Sequence, residues 1–107
     1  VSTSLRWLDF DYSDGDDGIG TFDAMASVEL RHAQEVQAEV DAVLAWAESA
    51  FAGRRAPVEE GGDWDADLQV TDEPGNPPRQ CFSLSISGTD AFCLAFREQF
   101  LHDSDQN

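Results

Sequence analysis

The sequence predicts an α+β two-layer sandwich of order ββαββα, and periodicity carries that prediction. Apolar residues alternate with polar ones in four segments, the period of a strand buried on one face, and recur at helical spacing in two others. Each such element has one apolar surface to bury. The expectation is therefore a four-stranded, mainly antiparallel sheet with two helices packed on one face.

In the first strand Leu8, Phe10 and Tyr12 alternate with Asp9 and Asp11. Residues 13–20, SDGDDGIG, combine three glycines with three aspartates and read as a loop. Phe22, Ala24, Ala26, Val28 and Leu30 then alternate with their neighbours as a second strand. From about His32 the period lengthens, and Val36, Val40, Val43, Leu44, Ala47 and Phe51 share one helical face, with Glu35, Glu39, Asp41 and Glu48 largely away from it. Gly53 suits the position after this helix, and Arg54 and Arg55 lie where cations offset the negative end of its dipole.

Residues 54–63, RRAPVEEGGD, form a loop, after which Trp64, Ala66, Leu68 and Val70 alternate with Asp65, Asp67, Gln69 and Thr71 as a third strand. The Pro-Gly pair in DEPGNPPR, residues 72–79, turns the chain into a fourth, where Phe82, Leu84 and Ile86 alternate with Cys81, Ser83, Ser85 and Ser87. Gly88 and Thr89 end that strand, and Thr89 is the expected N-cap of a last helix striped by Phe92, Phe96 and Phe100. Residues 1–101 read as one acidic domain, and residues 102–107 as a tail that frays.

Charge sets the functional classes. The 107 residues include 22 acids against six bases, all arginine, for a net charge of −16. Such a surface repels phosphate, which disfavours direct contact with nucleic acid or an anionic membrane and leaves cationic partners. A hydrophobic content of 41% argues against intrinsic disorder despite this charge. No apolar run approaches the roughly 20 residues that span a bilayer, and a cytoplasmic location is the expectation. Cys81 and Cys93 have no paired spacing and are expected to be reduced thiols. The domain reads as a monomer or a homodimer whose interface avoids the acidic edge.

Topology places the acids in two groups. If the first two strands form a hairpin, the first helix starts at the far end and returns, so loops 13–20 and 54–63 share one end of the sheet. Asp14, Asp16, Asp17, Glu59, Glu60 and Asp63 gather there, an oxygen-rich set of the kind calcium or magnesium takes. The EF-hand spacing fails, since a start at Asp9 puts Asp14 at the glycine position and Gly20 at the glutamate position, and a start at Asp11 puts Asp16 and Phe22 there. The second group, Asp9, Asp11, Asp23, Asp65 and Asp67, alternates away from the apolar face, with Glu29, Trp7 and Met25, onto the open side of the sheet.

Other chemistries find little support. His32, His102, Cys81 and Cys93 lack metal-ligand spacing, no GxSxG elbow is present, and GDDGIG carries aspartates that repel phosphate and leads into a strand. The functional expectation is a non-catalytic protein-binding or inhibitory module that engages a basic protein through its acidic face. The alternative is a divalent-cation-dependent domain or small enzyme using loops 13–20 and 54–63. No cofactor is expected beyond the calcium or magnesium of that alternative.

Overall fold

The computed structural model describes residues 5–15 and 18–100. The strands are β1 (Asp11–Asp14), β2 (Gly20–Glu29), β3 (Trp64–Glu73) and β4 (Arg79–Gly88), and the helices α1 (Ala33–Ala50) and α2 (Asp90–Phe100), in the order ββαββα. Short 3-10 turns at Leu30–His32 and Val58–Glu60 precede α1 and β3. The four strands form one sheet in the order β1-β2-β4-β3, with every neighbouring pair antiparallel. The predicted α+β sandwich is the observed fold.

Register follows from burial. In β2, Phe22, Ala24, Ala26 and Val28 point into the core, and β4 matches them with Phe82, Leu84 and Ile86. Slipping either strand by one residue would turn this whole set to solvent. Both helices lie over β2 and β4. Val36, Val40, Val43 and Ala47 of α1 and Phe92, Cys93 and Phe96 of α2 close the core from that side. The aromatic contacts are specific: Trp64 stacks on Phe92 with ring centres 5.7 Å apart, Phe22 on Phe96 at 4.3 Å, and Phe10 meets Phe96 edge-on at 5.1 Å. Each fully buried ring contributes about 1.5–3 kcal/mol relative to exposure. Gly88 permits this packing, because a methyl there would lie 2.5 Å from Cδ2 of Phe92.

Thr89 and Gly53 act at the helix termini as expected, whereas Arg54 and Arg55 lie beyond the last turn of α1 and pair with Asp63 and with Glu48 and Asp65 instead of serving its dipole. The Thr89 hydroxyl accepts the Phe92 N–H at 3.3 Å and caps α2. Gly53 has φ of 73°, so it turns the chain out of α1 in a conformation other residues adopt at a cost.

Some boundaries differ from the periodic reading. Leu8 and Phe10 are buried but precede β1, which covers only four residues. A carboxylate holds this segment instead of a ladder: Glu39 on α1 accepts the N–H groups of Arg6, Trp7 and Leu8 at 2.7, 3.0 and 3.0 Å. Trp7 therefore packs beside α1, its ring 5.1 Å from His32, and not on the open sheet face where alternation placed it. Leu30 lies in the 3-10 turn and is half exposed. The predicted tail, 102–107, falls outside the described residues.

Candidate functional site

The open face of the sheet is built by the residues that alternate away from the core. On β4 these are Arg79 at the end far from the loops, which bonds the Ser27 carbonyl, and then Cys81, Ser83, Ser85 and Ser87, all small, and β4 is a central strand. On either side β1, β2 and β3 present Asp11, Asp23, Asp65 and Asp67. A low serine floor therefore runs between acidic walls.

Strand register gives the walls their geometry. Asp11 lies directly opposite Asp23, Asp23 opposite Ser85, and Ser85 opposite Asp67, so one row crosses all four strands as Asp-Asp-Ser-Asp. Directly opposed side chains in such a ladder sit about 5 Å apart at Cβ. The next row toward the hairpin end reads Ser13, Thr21, Ser87 and Asp65. The row on the other side holds Met25, Ser83 and Gln69, and Met25 is 67% exposed.

Two depressions occupy this face, of about 490 and 640 Å³. Asp9, Asp11, Asp23, Asp67, Met25 and Ser85 line the larger one. The smaller lies toward the loops, where Asp14 at the end of β1, with Gly15 and Ile19 of the hairpin loop, faces Pro57, Val58 and Glu59 of the other loop across Asp65 and Ser87; β1 and β2 take Ser13, Asp14 and Gly20 out of the expected loop 13–20. The two loops thus share an end of the sheet, as the topological reading places them.

Charge pairing separates the acids that are already satisfied from those that are not. Asp65 accepts from Arg55 Nε at 3.1 Å, and the same guanidinium lies over the Trp64 ring and reaches Glu48. Asp63 is held by Arg54 at 3.1 Å, which keeps its carboxyl below the ordinary range. Arg6 lies beside Glu35, Arg31 beside Glu29, Arg97 over the Tyr12 ring, and Arg79 bonds the Ser27 carbonyl at 2.7 Å. Among the described residues, the carboxylates of Asp9, Asp11, Asp23 and Asp67 have no ion-pair or hydrogen-bond partner. Four of the six acids placed on this face from sequence thus form one unneutralised group, whereas Asp65 is tied to Arg55 and Glu29 to Arg31.

The oxygen-ligand set fares differently. Asp14 and Glu59 line one depression, but Asp63 turns to Arg54, and Glu60 does not line that depression. Asp16 and Asp17 fall outside the described residues. Among the described residues no three histidine, cysteine, aspartate or glutamate side chains are grouped to hold a metal ion.

A polar cluster at the start of β2 carries no local sequence signature. The Tyr12 hydroxyl donates to Asp14, and this bond, helped by burial, pushes its pKa up to about 12. Gly20 packs against both Tyr12 and the Cys93 thiol. Burial pushes the Cys93 thiol up, and its Sγ lies 3.5 Å from the Gly88 carbonyl. A buried thiol kept protonated is a packing group and a poor nucleophile. Both cysteines are free, with Cys81 half-buried on the open face.

No helix among the described residues is long and apolar enough to cross a membrane. Comparison with protein-family models, with curated proteins and with solved structures finds no match.

Proposed function

We propose that this domain is a binding or inhibitory module that captures a basic protein through the open face of its sheet. The observation that carries the reading is the Asp11-Asp23-Ser85-Asp67 row, with Asp9 beside it and, among the described residues, no ion-pair partner for these four carboxylates. Like charges directly opposed across two strands cost stability, about 0.2–1 kcal/mol per pair. A partner that brings lysine or arginine to the row removes that repulsion and gains attraction. The serine floor supports the same reading, because short side chains on β4 leave room for long cationic ones, and exposed Met25 offers their methylene stems an apolar contact. Electrostatic complementarity of this kind raises association rates and makes binding salt-sensitive.

The test is titration of an oligolysine probe against three proteins: the wild type, Asp11→Asn/Asp23→Asn, and Asp41→Asn/Glu98→Gln, which loses the same charge from the helices. The row variant is expected to bind about tenfold more weakly, the helix variant to stay within about threefold of wild type, and wild-type affinity to fall steeply with added salt. Equal losses in both variants would mean diffuse attraction to net charge and would overturn the assignment to this face.

A further inference from the structure

We infer that the free edge of β3 is a docking site for an extended basic peptide segment, which joins the sheet as a fifth strand. The inference rests on the reading of the acidic face above and adds how the partner is held. In the order β1-β2-β4-β3, β3 is an edge strand ten residues long, paired with β4 along its whole length and bridged on its outer side at Trp64 by Arg55.

The outward backbone groups of β3 can be assigned. The Trp64 carbonyl accepts from the Ala56 N–H at 2.9 Å, the Ala66 carbonyl from Arg55 Nη2 at 3.3 Å, and the Ala66 N–H donates to Asp65 Oδ1 at 2.9 Å. In an antiparallel ladder a residue's N–H and C=O point to the same side, so alternate residues face outward together. Those residues are Trp64, Ala66, Leu68, Val70 and Asp72. Loop 54–63 and Arg55 cover the first two. The outward N–H and C=O groups of Leu68, Val70 and Asp72 have no partner among the described residues.

The two faces of this stretch specify the incoming strand. The helices lie over β2 and β4, so Leu68 on the helix side is half-buried and Val70 is 41% exposed. On the other side stand Asp67, Gln69, Thr71 and Glu73. A strand that alternates apolar and cationic residues covers Leu68 and Val70 with one set and meets Asp67 with the other, while Glu73 already accepts from the Ser27 hydroxyl at 2.7 Å opposite Arg79. Seven residues, about 23 Å of chain, match Asp67–Glu73.

Charge selects this occupant over a second copy of the chain. Pairing β3 with β3 would bring Asp67, Asp72 and Glu73 of one molecule against those of another, between molecules that each carry −16. Edge strands that carry charge in this way resist self-association, and a repulsive element against one partner leaves an oppositely charged one admissible.

The test uses a fluorescent seven-residue peptide of alternating lysine and valine, followed by anisotropy at low ionic strength, and two derivatives N-methylated at either the valines or the lysines. Wild-type protein is expected to bind the parent, and one derivative to lose about tenfold or more while the other does not. Loss on valine methylation indicates an antiparallel addition, and loss on lysine methylation a parallel one. Hydrogen exchange at Leu68, Val70 and Asp72 is expected to slow on binding, and Val70→Pro, which removes an outward N–H, is expected to abolish binding with an unchanged circular dichroism spectrum. Affinity indifferent to both methylations overturns the edge inference. If that affinity still falls with Asp11→Asn/Asp23→Asn, the acidic-face reading stands without it. If no peptide binds, the edge inference falls, and the oligolysine titration decides the face separately.

Discussion

Gly20 shows how one missing side chain can hold a cluster together. A methyl on its Cα would lie 2.7 Å from Cys93 Sγ and 2.8 Å from the Tyr12 hydroxyl, closer than such atoms approach. Gly20→Ala is therefore expected to lower stability by about 1–3 kcal/mol. Cys93→Ala in the same background should return part of that loss, and a double-mutant cycle by urea unfolding measures it. The neighbouring Tyr12 is the chain's one tyrosine, so its ionisation is directly readable by ultraviolet titration. A midpoint of about 12 is expected, against 10.0 for a free tyrosine, and Asp14→Asn should bring it down. The sign for stability follows from proton linkage. The folded state holds the phenol proton more tightly, so the contribution is fully present below pH 10 and is lost as pH rises through 10 toward about 12.

Elements differ in how much their own residues determine. The amphipathic stripe of α1 is independent of its partners, and Val36, Val40, Val43 and Ala47 are buried as the periodicity predicts. The segment before β1 is the opposite case. Leu8 and Phe10 alternate like a strand, yet their placement depends on Glu39, thirty-one residues from Leu8 in sequence, and no local pattern signals a carboxylate reaching that far. Glu39→Ala should accelerate amide exchange at Arg6, Trp7 and Leu8 and destabilise the fold by about 1–3 kcal/mol, with α1 intact by circular dichroism. Thr89→Ala is expected to cost about 1 kcal/mol by removing the α2 cap. The acidic face lies between these extremes. Alternation placed Asp9, Asp11, Asp23, Asp65 and Asp67 on one side of the sheet. Which of them face each other depends on the strand order, and Asp65 leaves the group only because Arg55 folds back onto it. The serines of β4 read as ordinary outward residues until that order put them in the centre.

At the scale of the molecule, a net charge of −16 on 107 residues makes self-repulsion a term in every stability measurement. Sodium chloride should raise the unfolding midpoint by screening, over a Debye length of about 8 Å at physiological ionic strength. Asp11→Asn/Asp23→Asn should already be more stable at low salt, by about 0.2–1 kcal/mol, and gain less from added salt, because the repulsion that screening relieves is partly gone. Calcium and magnesium separate screening from binding, since an ion held only by the folded state stabilises it by mass action and saturates. Among the described residues the carboxylates do not converge in threes, and Asp63 is occupied by Arg54. At matched ionic strength, then, each divalent salt is expected to shift the midpoint no more than sodium chloride does. A saturable excess for one ion, removed by Asp14→Asn or Glu59→Gln, would instead place an oxygen-ligand site in the depression between the two loops and make the acidic end of the sheet, not its face, the working surface.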